Sequence, residues 1–243
     1  MSVRPCMRNS KFQSVCPCRT RAITMPSSLG GVVRRKAGRR VKAGWHHGGM
    51  PASPIDDDAL DDLEREFLGR VRGRVLEIGA GEGENFGAWH PDVEWTGLEP
   101  DASRRAELAT RAREWRHEQA PLDAVAERIP LPDASVDAVV GTYVLCSVTD
   151  VPAALAEVRR VLVPGGRVVF VDHVAAPRGT FTRFVQRIAT PLTKRIDHGC
   201  HWDRDTAAAL AAAGFVADDA RDLRVRTSPF GSIPVLVFDG HAG

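Results

Sequence analysis

The sequence predicts an α/β fold with a doubly wound, mostly parallel, seven-stranded sheet, helices on both faces and a C-terminal antiparallel hairpin. The first observation behind this prediction is the alternation, from residue 57 onward, of short apolar runs with amphipathic segments of helical period. Such alternation is typical of parallel strands joined by crossover helices. The second observation is a pair of late apolar runs separated by a turn, which predicts the hairpin.

A helix predicted at 57–70 opens the domain, because Leu60, Leu63, Phe67 and Leu68 recur at helical spacing after an acidic start. The elements that follow alternate between strand and helix. They are strand 74–78, helix 83–89, strand 93–98, helix 101–116, a weak strand near 122–125, strand 136–141, helix 151–162 and strand 167–173.

The C-terminal part departs from this alternation at 178–195, where apolar residues recur at i, i+3, i+4 and i+7 among basic ones. The apolar stripe consists of Phe181, Phe184, Val185 and Ile188. We expect an amphipathic helix whose stripe packs on the core as a lid, with peripheral membrane contact as the alternative. A last helix is predicted at 203–213, and the hairpin strands at 222–226 and 233–238.

A glycine-rich turn after the first strand carries Gly79, Gly81 and Gly83, so backbone can approach a ligand without Cβ atoms in the way. Glu99 ends the second strand, where a carboxylate can accept both hydroxyls of a ribose. Together these features predict a site for an adenosine cofactor. A dinucleotide fingerprint would require glycine in place of Glu84. S-adenosylmethionine has no phosphate and carries a sulfonium cation, so it tolerates acidic residues and is the predicted cofactor.

The candidate cofactor residues lie at or just after the ends of predicted strands. They are Glu77, Gly79, Gly81, Gly83, Glu99, Glu127 and Thr142. Ligands of open parallel sheets bind outside the carboxyl ends of the strands. We therefore expect these residues, together with Asp172 at the end of a later strand, to converge on one crevice.

Later segments resemble those of the class I S-adenosylmethionine-dependent methyltransferases, whose sheet is Rossmann-like. Residues 157–166 match the E-x-x-R-V-L-x-P-G-G segment of the type 11 methyltransferase group. Stretches 142–148, 172–176 and 197–201 are similar to those of the alkyl-thiol S-methyltransferase branch. The resemblance spans roughly residues 70–240. It implies methyl transfer to a small-molecule acceptor, in this branch a thiol.

The acceptor side of the predicted crevice carries two groups of candidates. Asp172 and His173 are the candidate catalytic residues, since His173 at a strand end can take a proton or orient the acceptor. Tyr143, His198 and Cys200 are candidate substrate residues. Two other functions stay open: a methyltransferase for a lipid amine, quinone or natural product, and a non-catalytic module that binds a nucleotide or, through its basic tail, nucleic acid.

Charge divides the chain into a predicted disordered, basic extension at 1–50 and a methyltransferase domain at 51–243. The extension contains eleven Lys and Arg and no Asp or Glu, which leaves 22 Lys and Arg against 31 Asp and Glu in the domain. The extension has three interpretations: it is a disordered segment without function, a targeting segment, or an arm that binds nucleic acid. The acidic domain disfavours nucleic acid as a partner, because phosphate contact requires a basic groove.

Cysteine spacing and hydropathy indicate whether the chain forms disulfides, binds a metal or spans a membrane. The five cysteines form no disulfide framework, and His-x-Cys-His at 198–201 is too cramped for usual zinc spacing, so no metal is predicted. Cys146 lies in an apolar run and is interpreted as a small buried hydrophobe. No apolar run is long enough to span a bilayer, and the protein is expected to be cytoplasmic. Oligomeric state is left open.

Overall fold

The computed structural model describes residues 53–196, 200–228 and 231–243. The predicted basic extension, its boundary at residue 50 and the candidate substrate residue His198 lie outside these residues.

A six-stranded sheet forms the centre of the part of the chain that is described, in the order β2-β1-β3-β4-β6-β5. The strands are β1 (Gly73–Ile78), β2 (Val93–Leu98), β3 (Val136–Thr142), β4 (Leu162–His173), β5 (Phe215–Ser228) and β6 (Gly231–Ala242). β1 to β4 are parallel, whereas β6 is antiparallel to both β4 and β5. The predicted fold class is confirmed, and the carboxyl ends of β1 to β4 meet at one edge.

The helices are α1 (Asp57–Leu68), α2 (Ala102–Glu114), α3 (Val151–Val161), α4 (Phe181–Ile196) and α5 (Thr206–Ala212). Four of them begin after an aspartate whose carboxylate accepts a backbone N–H of the first turn. These N-caps are Asp56, Asp101, Asp150 and Asp205. None of the described helices has the length and apolar character needed to cross a bilayer.

Apolar side chains cover both faces of the sheet. On one face Leu155 of α3 belongs to a cluster with Val139 and Phe170. On the other face Phe67 of α1 belongs to a cluster with Val140. Val139 and Val140 are neighbours in β3, and they enter different clusters because successive strand residues point to opposite faces. Helices on both faces therefore bury the central strands, as predicted.

Several predicted elements differ from the structure in extent. The hairpin strands predicted at 222–226 and 233–238 are longer, at Phe215–Ser228 and Gly231–Ala242. The weak strand near 122–125 makes a single bridge, between Leu98 and Leu122, so the described sheet has six strands rather than seven. Pro121 before it has no N–H to donate to a ladder. The helix predicted at 83–89 is only a 3₁₀ turn at Phe86–Ala88, because glycine in this segment disfavours a longer helix.

The predicted packing of the apolar stripe of α4 on the core is also wrong. Phe181, Phe184 and Ile188 are 80%, 60% and 65% exposed. Among the residues of this helix whose side chains are described, the buried ones are the polar residues Gln186 and Thr190, at 4% and 7% exposure. This described part of the helix therefore contacts the domain through polar side chains.

Hydrogen bonds to the backbone explain this orientation of α4. Gln186 Oε1 accepts the N–H of Ala176 at 2.8 Å, and its Nε2 donates to the carbonyl of Val174 at 3.0 Å. Both partners belong to the segment that leaves β4. Since a buried amide without partners is costly, these two bonds favour the polar face at the contact.

Candidate active site

The glycine-rich turn leaves β1 with a left-handed backbone at each of the three predicted glycines. The φ angle is 58° at Gly79, 58° at Gly81 and 86° at Gly83. A Cβ at Gly79 would lie 2.4 Å from a methyl of Val144, and a Cβ at Gly83 would lie 2.2 Å from the ring of Phe86. Any other residue would be strained at these two positions, so the chain's own packing requires glycine there.

Glu99 joins the end of β2 to this turn. Its side chain is only 4% exposed. Oε2 accepts the N–H of Gly81 at 3.0 Å, and Oε1 accepts the N–H of Asp101 at 2.9 Å. A carboxylate has about four acceptor positions, so both oxygens retain capacity for further hydrogen bonds. The structure thus brings the predicted turn and the predicted carboxylate together.

Asn85, which sequence reasoning missed, connects two predicted cofactor residues beside the turn. Its Nδ2 donates to Glu77 Oε1 at 2.7 Å and to Thr142 Oγ1 at 3.0 Å. Glu77 Oε2 accepts Trp95 Nε1 at 2.7 Å. Glu77 is 1% exposed, and its two carboxylate oxygens are engaged by these partners. An amide directly after a glycine-rich turn is the signal that could have identified Asn85.

Glu127 contacts the start of α3. Its Oε1 accepts the N–H of Thr149 at 2.7 Å and that of Asp150 at 3.1 Å. These bonds hold the loop between β3 and α3, and none of the described hydrogen bonds links Glu127 to the glycine turn. Its role as a cofactor residue stays a prediction.

Tyr143 follows β3 in a left-handed conformation, with φ at 58°. This conformation is uncommon for a bulky residue and is often found at functional sites. The phenol donates to Glu64 Oε1 at 3.0 Å. Burial and the negative charge of Glu64 raise the pKa of Tyr143 well above its ordinary value, so the phenol stays protonated. The Tyr143 ring lies 4.8 Å, between centroids, from the ring of His173.

Asp172 is fully buried at the end of β4. Oδ1 accepts the N–H of Cys146 at 3.1 Å, and Oδ2 has no hydrogen-bond partner among the described residues. Burial, with a further contribution from Cys146, raises the pKa of Asp172 well above its ordinary value and favours the neutral carboxyl. Because this side chain is inaccessible, its placement favours a positioning role rather than contact with an acceptor.

His173 contacts two buried cysteines, one of which was missed as a site residue. Its Nδ1 lies 3.5 Å from Cys200 Sγ, and one ligand atom from each of Cys146, His173 and Cys200 lies within 4.8 Å of the others. A hydrogen bond with Cys200, and then burial, raise the pKa of Cys146. The burial predicted for Cys146 is confirmed. Its partnership with two distant segments has no local sequence signal.

Residues 76–170 match the model of a methyltransferase domain family. Thiol S-methyltransferase TMT1B of Homo sapiens is 35% identical over 174 residues, which are 67% of this chain and 71% of that protein. The chain belongs to the S-adenosylmethionine-dependent methyltransferases. Thiol S-methyltransferase TMT1A of Homo sapiens is 38% identical to this methyltransferase over 144 residues, 58% of the chain and 59% of that protein.

Solved structures agree with the fold of this methyltransferase. Geranyl diphosphate methyltransferase in complex with S-adenosylmethionine gives a TM-score of 0.61 at 19% identity, covering 77% of this chain and 86% of the other. At this identity the likeness concerns the fold alone. The resemblance to the class I methyltransferases and to their thiol S-methyltransferase branch, drawn from the sequence motifs, is thereby supported.

Proposed function

We propose that this methyltransferase transfers the methyl group of S-adenosylmethionine to the sulfur of a small thiol. The observation that carries the proposal is that residues 142–146 connect the glycine turn with the cluster around His173. Thr142 is hydrogen-bonded to Asn85 beside the glycine turn, whereas Cys146 lies in the cluster with His173. This short segment therefore connects two sides of the proposed site. We call the side of the glycine turn the cofactor side and the side of His173 the acceptor side.

The cofactor side has the hydrogen-bond acceptor that the ribose of an adenosine ligand requires. The carboxylate of Glu99 keeps acceptor capacity for two ribose hydroxyls, and it is held in place by Gly81 and Asp101. The left-handed glycines keep the turn free of Cβ atoms. We propose that Glu99 and the backbone at 79–83 hold the cofactor, with Glu77 and Thr142 acting through Asn85.

Methyl transfer from a sulfonium requires little from the protein besides alignment of the two reactants. When bound, S-adenosylmethionine supplies an electrophilic methyl group on a sulfonium. The residues of this chain orient the acceptor and exclude water, which are the main requirements of an in-line displacement. A thiol reacts as the thiolate, so its proton must leave. We assign to His173, half-buried at the end of β4, the role of promoting that loss.

The thiol acceptor is supported by the relatives named thiol S-methyltransferases, one of which shares 71% of its length with this chain. Cys146 and Cys200 form no disulfide, which fits a reducing compartment, so we propose a cytoplasmic location. The excess of acidic residues over 51–243 favours a small molecule over nucleic acid as the partner.

The test is a methyl-transfer assay with the full chain and a panel of alkyl thiols, hydrogen sulfide, amines and phenols at pH 6 to 9. We expect S-adenosylhomocysteine to form only with thiols, at a rate that increases with pH as the thiolate fraction grows. The Glu99→Ala variant serves as the control for cofactor-dependent turnover. Methylation of amines or phenols with inert thiols would contradict the thiol acceptor and leave the methyltransferase assignment in place.

A further inference from the structure

Three side chains that bind soft metals meet at the acceptor side of the site. Cys146 follows β3, His173 ends β4, and Cys200 precedes α5. One ligand atom from each lies within 4.8 Å of the other two. Each residue also belongs to one of the three stretches that resemble the alkyl-thiol branch, and the proposed function gives no role to either cysteine sulfur.

The distances fit a tetrahedral ion of zinc size. With Zn–S bonds of about 2.3 Å and Zn–N bonds of about 2.0–2.1 Å, sulfur and nitrogen ligands lie about 3.6 Å apart. The separation of Cys200 Sγ from His173 Nδ1 is 3.5 Å. Two sulfur ligands of such an ion lie about 3.8 Å apart, so a side-chain shift of about 1 Å at most completes the geometry.

Two hydrogen bonds, one to a side-chain carboxylate and one between backbone groups, hold the three segments together independently of any ion. The N–H of Cys146 donates to Asp172 at 3.1 Å, next to His173 in β4. The N–H of His201 donates to the carbonyl of Cys146 at 2.8 Å, which brings Cys200 alongside. The fold therefore preorganises this set of ligands, as a metal site requires.

Electrostatics favour a divalent ion at this cluster. Cys146 and Cys200 are 1% and 3% exposed, so two thiolates without a counterion would be costly there. A Zn²⁺ ion cancels both charges. Arg204 interacts electrostatically with both sulfurs and donates to the carbonyl of Leu145 at 2.6 Å.

We propose that Cys146 Sγ, Cys200 Sγ and His173 Nδ1 bind one Zn²⁺ ion and leave its fourth position open. Two thiolates and one imidazole form the donor set of a catalytic zinc site, in which three protein ligands leave a place for water or substrate. His173 is the ligand with solvent access, so the open position faces its side of the cluster, next to Tyr143.

The open position takes the sulfur of the small thiol, a step that rests on the proposed function. The S–H bond of the thiol breaks, a Zn–S bond forms, and the proton passes to solvent water. His173 then promotes ionisation of the acceptor as a metal ligand rather than as a base. The expectation of no metal came from the spacing at 198–201, whereas the residues that meet come from three separate segments.

The experiment measures metal binding by the full chain. Cys6, Cys16 and Cys18 are replaced together by serine in a background variant, so that thiols at the N-terminus do not contribute. Bound zinc is measured by mass spectrometry after growth with zinc and desalting, and Co²⁺ is titrated into metal-free protein while thiolate-to-cobalt charge-transfer absorption is recorded. Cys200→Ser in that background tests the cluster.

We expect one zinc per chain in the background variant, with a cobalt charge-transfer band. Cys200→Ser is expected to weaken zinc binding by at least about 100-fold, since the loss of an outer-shell partner alone costs about 10–100-fold. A background variant without zinc and without the cobalt band would overturn the proposal, as would full zinc retention by Cys200→Ser. If Cys200→Ser does not fold, the presence or absence of the cobalt charge-transfer band in the background variant tests the proposal.

Activity separates this inference from the proposed function. Full thiol methylation by metal-free protein would overturn the step in which the thiol binds to zinc, and would support the thiol acceptor. Stoichiometric zinc with methylation of amines alone would overturn the thiol acceptor and the fourth-ligand step, and would support the metal site.

Discussion

At the residue scale, Glu99 has an observed structural role and a proposed binding role for the same carboxylate. It accepts backbone N–H groups from Gly81 and Asp101 and lies where a ribose is expected. Tyr143 is comparable, since it has a left-handed backbone and its half-buried side chain contacts both Glu64 and His173. Substitutions at such positions therefore need readouts for both stability and binding.

Glu99→Ala is expected to weaken binding of S-adenosylmethionine and S-adenosylhomocysteine by about 1.5–3 kcal/mol, the scale of hydrogen bonds to a charged group. Titration calorimetry on the full chain measures this change, with NAD expected not to compete. Glu84→Ala is the matched control, because Glu84 is an exposed glutamate of the same turn. Equal losses in the two variants, or tight NAD binding, would contradict the assigned cofactor role.

His173→Ala is expected to lower kcat with thiols by about 10- to 1000-fold while cofactor affinity holds, since His173 belongs to the acceptor side. Steady-state kinetics and calorimetry measure the two quantities. His241→Ala is the control, because His241 pairs with Arg167 at the opposite end of β4 from His173. A normal kcat for His173→Ala would remove this residue from the mechanism.

At the scale of elements, α4 shows that an amphipathic pattern does not decide which face of a helix is covered. Ile188 is 65% exposed and Gln186 is 4% exposed. The contact with the segment after β4 consists of two hydrogen bonds from Gln186, which replace the apolar contact expected from the stripe. The orientation of α4 therefore depends on backbone groups that only the folded chain presents.

Gln186→Ala is expected to lower stability by about 1–3 kcal/mol, because two buried backbone groups lose their partner. For a domain of this size the melting temperature falls by about 2–12 °C. Ile188→Ser, on the exposed face of the same helix, is expected to change stability by less than about 0.5 kcal/mol. Thermal unfolding followed by circular dichroism measures both. A larger loss for Ile188→Ser would mean that the stripe is buried after all.

The pairing of β1 with β3 includes an ion pair with a defined pH dependence. Arg74 donates to Asp137 from its guanidinium at 2.8 Å and 3.0 Å and from its backbone N–H at 2.9 Å. Hydrogen bonds from the Arg74 side chain and then from its backbone lower the pKa of Asp137 from its ordinary value of 3.8. The stabilisation is therefore present above about pH 4 and is lost as pH falls through the lowered pKa.

Asp137→Asn is expected to reduce the free energy of unfolding modestly at pH 7 and to have a smaller effect as pH falls through the lowered pKa of Asp137, where the carboxylate of the unmodified chain becomes protonated. Urea unfolding at pH 2.5 to 7 measures the difference. Glu118→Gln, at an exposed position, is the control for removal of an acidic group. An effect of Asp137→Asn that is the same at every pH would exclude the ion pair as its cause.

At the scale of the whole molecule, we propose that residues 1–49 contribute no packing to the domain, because they combine high basic charge with no apolar period. A protein that begins at Met50 is expected to keep its melting temperature within about 2 °C. Its affinity for S-adenosylmethionine should also be unchanged. A large loss of stability on removal of these residues would show that they dock on the domain.

The sequence by itself determined the fold class and the cofactor turn. Alternating periods and aspartate caps are local signals, so most strands and helices were predicted close to their observed bounds. The meeting of the glycine turn with Glu99 was predictable because they follow β1 and β2, two adjacent parallel strands whose carboxyl ends lie at the same edge of the sheet. The weak strand failed because a single bridge at Leu122 leaves almost no periodic signal.

Only the tertiary structure decided how the acceptor side is built. Cys146, His173 and Cys200 come from three segments that approach each other through backbone hydrogen bonds, and no spacing rule relates residues so far apart. Burial of Asp172 likewise follows from its position at the end of a central strand, covered on both faces. Local patterns specify elements and short motifs, whereas contacts between distant segments depend on how the sheet brings the ends of its strands together.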